Sequence, residues 1–173
     1  MYPSSTATNA AALDSGTTTS AVAGKLTEAG QNFATTVNVG DYAVITTAVA
    51  GFPVRSYGLV TAVDSDTTLS LRGPGLPATG TGGLSANNTN YSIIAAADLS
   101  KCVLSGAAFT SNVQAGDMVC NTTTNLNYKV ASVVDDTTII LAGDNFGILA
   151  GDGFFILSDR GNQGAQSVNL DNA

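Results

Sequence analysis

Val60–Leu71 reads VTAVDSDTTLSL. β-Branched and apolar residues flank an Asp/Ser cluster, the pattern of a strand, a turn and a second strand. Val130–Leu141, VASVVDDTTIIL, repeats that pattern with its turn at Asp135-Asp136. Two further apolar runs, YAVITTAV from Tyr42 and MVCNTT from Met118, each begin directly after a Gly-Asp pair, Gly40-Asp41 and Gly116-Asp117. A glycine there supplies a backbone conformation other residues resist, and the aspartate caps the turn. Only Ile94–Ser100 and Ala10–Leu13 have the composition to hold a helical turn or two. The pattern predicts an all-β protein.

The strand signals recur in order. Lys25–Val44 (KLTEAGQNFATTVNVGDYAV) shifted onto Lys101–Cys120 (KCVLSGAAFTSNVQAGDMVC) matches Lys25/Lys101, Gly30/Gly106, Phe33/Phe109, Val37/Val113, Gly40/Gly116 and Asp41/Asp117 without a gap. In the second block Val60, Val63, Asp66, Thr67, Thr68 and Leu71 recur as Val130, Val133, Asp136, Thr137, Thr138 and Leu141. A third block pairs Tyr91-Ser92-Ile93-Ile94 with Phe154-Phe155-Ile156-Leu157. Three blocks in one order predict an internal duplication. The expected architecture is two tandem small β-sandwich or β-barrel units, residues 21–97 and 98–158, with extended terminal arms at 1–20 and 159–173. Phe33, Phe109, Val37, Val113, Leu71 and Leu141 are the expected core. Gly40, Asp41, Gly116, Asp117, Asp66 and Asp136 are the expected structural turns.

Both arms are polar and lack a strand period, and segments of that composition become ordered by lying on something else. Arg72–Asn90 (RGPGLPATGTGGLSANNTN) is the least strand-like stretch and has a shorter counterpart at Ala142–Gly153. It reads either as a contact segment particular to one unit or as a tolerated surface insertion.

Composition narrows the function. Six basic against thirteen acidic residues leave a net charge of -7, which argues against a nucleic-acid partner. The chain has no His, which removes the commonest general base and metal ligand and nearly all Ser-His-Asp and Cys-His catalysis. The sequence therefore predicts no enzyme, no catalytic residue, no cofactor and no metal. No window has the ~18–20 apolar residues of a membrane span, and the N-terminal stretch reads as no signal peptide, so no membrane partner is expected.

Asp64, Asp66, Asp135 and Asp136 lack the spacing of an EF-hand and read as hairpin-turn residues rather than a calcium site. Cys102 and Cys120 align with Leu26 and Val44 and are expected to be buried apolar thiols. Asn87, Asn90 and Asn121 open glycosylation triplets of the kind that chance supplies in an Asn- and Thr-rich chain. Tyr57 and Tyr128, in corresponding regions, read as cross-strand packing residues, with a weak carbohydrate-stacking alternative.

The repeat grammar, K-x4-G-x2-F-x3-V-x2-G-D, then V-x2-V-x2-D-T-T-x2-L, then an aromatic-Ile strand, resembles that of small β-rich structural proteins of tailed bacteriophages, those of cyanobacteria and other aquatic bacteria first. It covers Lys25 to Leu157. The resemblance implies a non-enzymatic virion component, most concretely a head decoration (cement) protein that forms homo-oligomers and packs on capsid or tail subunits. Neck, tail or fibre locations, and a host-glycan-binding module, are the alternatives.

Overall fold

The structure, a computed structural model, describes residues 1–9, 11–78, 80–143 and 148–158. The expected C-terminal arm, 159–173, lies outside the described residues. The chain divides into two units, Ala11–Asp98 (unit I) and Met1–Ala10 with Leu99–Ala173 (unit II). Their strands, in chain order, are β1 (Tyr2–Thr6), β2 (Asp14–Thr17), β3 (Lys25–Thr27), β4 (Tyr42–Ile45), β5 (Tyr57–Ser65), β6 (Thr68–Arg72), β7 (Asn90–Ile94), β8 (Lys101–Val103), β9 (Met118–Asn121), β10 (Leu126–Val133), β11 (Thr138–Leu141) and β12 (Gly153–Leu157). Among the described residues each unit holds one antiparallel sheet of six strands. The order is β2-β7-β4-β5-β6-β3 in unit I and β1-β12-β9-β10-β11-β8 in unit II. Position by position, the two sheets have the same order.

Alternation sets which side chains enter each core cluster, although the central strands β4 and β9 bury residues on both faces. Along β4 and β9, Ala43 and Ile45 in unit I and Val119 in unit II enter the core clusters. Along β6 and β11 it is Leu69 and Leu71, and Ile139 and Leu141. The long strands β5 and β10 carry a register shift at matching places, between Val60 and Ala62 and between Val130 and Ser132. A bulge bends a strand and increases its twist. Each long strand pairs with its first neighbour only before the bulge, over Tyr57–Leu59 with β4 and Leu126–Lys129 with β9, and with its second neighbour across it, and the sheet curls around its own core.

Residues 1–20 do not form an arm. Tyr2–Thr6 and Asp14–Thr17 are edge strands, one in each unit. The expected helical stretch Ala10–Leu13 has no helix among its described residues, whereas Ala96–Asp98 makes a 3-10 turn within Ile94–Ser100. Two single-turn helices went unpredicted, α1 (Phe33–Thr36) and α2 (Phe109–Asn112). One turn is too short to leave a period in the sequence, and its anchor is tertiary: the buried ring of Phe33 or Phe109.

The long segment after β6 is not a loose insertion. Leu76 and Leu84 pack in the unit I core, with Leu84 fully buried in a 3-10 turn at Gly83–Ser85. Gly75 N–H donates to Tyr57 O at 2.6 Å and Leu84 N–H to Gly75 O at 3.0 Å. A side-chain carbon at Gly58 would stand 3.3 Å from Leu84 Cδ1. In register, the unit II residue at the place of Gly58 is Tyr128, which is buried in its own core. Unit I leaves with glycine the space that Leu84 then occupies.

Candidate functional site

Gly40 and Gly116 sit at φ +102° and +100°. In each turn the aspartate that follows reaches back to the backbone. Asn38 N–H donates to Asp41 Oδ2 at 2.8 Å and Gln114 N–H to Asp117 Oδ2 at 3.0 Å. Asp41 and Asp117 are buried, and a buried carboxylate is stable there because backbone N–H groups satisfy it. A third copy, unremarked in the sequence, is Gly151-Asp152: φ is +83° and Leu149 N–H donates to Asp152 Oδ2 at 2.8 Å. Asp152 also accepts Asn121 Nδ2 at 3.0 Å. Nothing crowds a Cβ at Gly40, and only the Lys129 side chain, at 3.9 Å, approaches one at Gly116. Gly116→Ala is therefore expected to cost about 1–2 kcal/mol through backbone strain alone. Gly40→Ala should cost a similar amount, and urea unfolding of the two single variants and the double variant checks both values and their additivity.

Asp66 and Asp136 lie exposed in the hairpin turns, and their carbonyls accept the N–H of Phe33 at 2.9 Å and of Phe109 at 3.0 Å. The turn thus seats the helical turn that follows the β3 or β8 strand. The other turn carboxylates are held by neighbouring side chains and backbone, from the adjacent strand β3 as well as from their own hairpins. The hydrogen bond from Lys25, at 2.8 Å, and then that from Ser70 hold the Asp64 carboxyl below its ordinary range. The Thr137 backbone N–H does the same for Asp135. Among the described residues no group of three or more Cys, Asp and Glu side chains gathers as metal ligands would.

The most distinctive construction is the closure of each sheet by the N-terminal segment. In unit II, Ala7 N–H donates to Asp152 O at 2.8 Å, and Thr8 N–H donates to Val103 O at 2.7 Å. In unit I, Thr18 N–H donates to Thr89 O at 3.0 Å, and Thr19 N–H donates to Thr27 O at 2.8 Å. Thr8 and Thr19 also each accept a backbone N–H on Oγ1, from Ser105 at 2.7 Å and Ala29 at 2.9 Å. One short segment therefore joins both edges of a sheet. The sequence carries this as Ser4-x-Thr6-x-Thr8 and Ser15-x-Thr17-x-Thr19, one pattern written twice. Asn9 adds a clamp on unit II. Its Nδ2 donates to Lys101 O at 2.7 Å and Ile148 O at 2.9 Å, while its Oδ1 accepts Val103 N–H at 2.9 Å.

The two closures differ beneath the strand. In unit I, Tyr91 Oη donates to Glu28 Oε2 at 2.6 Å, and a side-chain carbon at Gly16 would collide with that carboxylate. Thr36 Oγ1 donates to Asp14 Oδ2 at 3.0 Å. Leu104 and Phe154 stand at the places of Glu28 and Tyr91 in unit II, with Phe154 in its core. Glu28, the only Glu in the chain, thus lies against the closing strand β2, with its carboxylate bonded to the Tyr91 phenol. Burial first, and then the Glu28 hydrogen bond, raise the Tyr91 phenol above its ordinary value.

Both cysteines are free and buried, on β8 and β9. Burial, with Asp152 adding a smaller effect, raises the Cys102 thiol from 9.0 to about 12. A raised folded-state value means that the neutral thiol's contribution is complete below pH 9 and is lost as pH climbs toward 12. Stability should fall over that window by up to about 1.4 kcal/mol per pH unit. Cys102→Ala should remove this share of the slope and leave that of the Cys120 thiol and Tyr91 phenol, both also raised by burial, and urea midpoints of both proteins on either side of pH 9 test it.

The tyrosines are mostly occupied. Tyr91 and Tyr128 are buried, Tyr2 packs on Phe109 with ring centroids 5.2 Å apart, and the half-buried Tyr42 and Tyr57 rings pack on each other at 5.9 Å with a tilt of 59°. In register, Tyr57 corresponds to Asn127 rather than to Tyr128. No family model matches the chain, and no curated protein or solved structure shows significant similarity to it.

Proposed function

We propose that this chain is a non-enzymatic structural component of a tailed-phage virion, acting as a head decoration protein that bridges capsid subunits. The observation that carries the reading is the closure. Two sheets of one strand order are each completed by an extended segment that binds through backbone hydrogen bonds. Strand addition of that kind is a general way for structural subunits to engage neighbours, and many weak contacts of this type gain strength when one subunit engages several sites. The matched strand order, the matched bulges and the twice-written Ser-x-Thr-x-Thr support an origin by internal duplication. Exposed aliphatic side chains at turns and strand ends, Val39, Val134, Leu126 and Leu157, add apolar surface suited to such packing.

The tyrosines favour this over a glycan-binding module. Sugar stacking needs exposed rings on one face, whereas Tyr91 and Tyr128 are buried and the half-buried Tyr42 and Tyr57 pack against each other at a tilt. Neck, tail and fibre remain the competing locations within the same class. Molar mass by light scattering behind size exclusion, at two concentrations, tests the proposal. A stable trimer is expected, matching a protein seated at three-fold positions. A ring of six or twelve moves the location to neck or tail, and a monomer at both concentrations overturns the cement reading.

A further inference from the structure

Within unit II, β1 is covalently the outsider. Asn9 bonds Lys101 across 92 residues of sequence, and every other strand of that sheet comes from residues 101–157. The strand is held by backbone pairing to β12, by buried Ala7, by the Asn9 clamp and by Tyr2 on Phe109. All of these contacts lie within Tyr2–Asn9. Its link to unit I is short: Asn9 is bound in unit II, Leu13 N–H already donates to Ile93 O in unit I at 2.8 Å, and three alanines stand between them.

We propose that the slot between β12 and β8 is an exchange site that takes the Tyr2–Asn9 segment of a second copy of this chain. Among the described residues, the contacts that seat the segment are made by Tyr2–Asn9 itself, so the same segment of a second copy can make them. The exchanged form keeps each hydrogen bond and each buried side chain. The choice between the two is set by the connector and by concentration, the condition under which strands swap between protomers. Unit I is built otherwise. Its closing strand β2 is joined to β3 of the same sheet by the chain directly following it, so its own segment is always at hand. Unit II is therefore the acceptor, and the duplicated Ser-x-Thr-x-Thr marks the donor. The slot is a property of the strand order and holds whether or not the protein belongs to a virion.

Connector length is the test, in the full chain. Deleting Ala11 and Ala12 should raise the fraction of discrete oligomer several-fold, measured by light scattering at matched concentration. Inserting a flexible Gly-Ser stretch between Ala11 and Ala12 should lower it several-fold, because a longer connector favours closure within one chain. In the shortened chain, Asn9→Ala, which removes the clamp without adding charge, should return the oligomer toward monomer. Native mass spectrometry of mixed isotope-labelled and unlabelled shortened chains should show hybrid species. An oligomer fraction indifferent to connector length, or an oligomer in the shortened chain that survives Asn9→Ala undiminished, overturns the proposal. A trimer that ignores the connector would leave the cement reading standing while removing this one.

Discussion

Phe109→Ala is expected to cost about 3–5 kcal/mol, and Phe33→Ala a similar amount, the usual range for emptying a fully buried aromatic site. Both rings are completely buried and each anchors a single helical turn that has no side-chain cap of its own. A turn of four residues has no independent stability, so without the ring the segment also loses the reason for its bonds to the Asp66 and Asp136 carbonyls. The two variants differ in what they release. The ring partner of Phe109 is Tyr2 of the closing strand, while that of Phe33 is Tyr91 of β7, at 6.3 Å. Phe109→Ala should therefore speed amide exchange in Tyr2–Asn9 as well as in its own turn. Phe33→Ala should leave that segment protected. Hydrogen exchange read by residue, beside urea unfolding, distinguishes the two.

A chain lacking residues 1–9 should lose unit II while keeping unit I folded. Ala7, Thr8 and Asn9 alone contribute seven hydrogen bonds to that unit, beyond the pairing of β1 with β12. At roughly 1 kcal/mol net each, they amount to a large part of the stability of a unit this size, about 4–13 kcal/mol by the usual per-residue range. Such a small unit buries too little surface to absorb the loss. Limited proteolysis is the direct measurement: the shortened chain should be cut within Leu99–Leu157 and leave a resistant fragment containing Ala11–Asp98. Equal resistance of both units would show that β1 is dispensable.

Much of each sheet was legible because central strands bury alternate residues. Leu69 and Leu71, or Ile139 and Leu141, leave a period that a reader can follow, and the Gly-Asp turns punctuate it. The closing strands left no such trace. Tyr2–Thr6 and Asp14–Thr17 have no fully buried side chain, and they are held by backbone groups common to every sequence. The one signal was Ser-x-Thr-x-Thr at two places, whose recurring threonines do the same bonding in each unit. Leu84 was hidden for another reason. It is an isolated leucine in a Gly- and Pro-rich stretch, and its burial depends on Gly58, an absence of side chain that sequence alone does not connect to it. Glu28 has no visible role in the sequence because the phenol it bonds, Tyr91, comes on a strand 63 residues later in the chain.

The place of β1 also bears on how the protein is made. Tyr2–Thr6 leaves the ribosome before any other strand of its sheet, and the strand it pairs with, Gly153–Leu157, is synthesised after all the others of that sheet. Unit I, which carries its own closing strand, has all its parts once Asp98 has emerged. Long-range pairing of this kind is slow because loop closure must come before any contact is gained. Until Gly153–Leu157 emerges, the segment made before the rest of its sheet is therefore the one still waiting, and an incomplete chain carries a finished unit I together with a Ser- and Thr-rich strand whose partner does not yet exist.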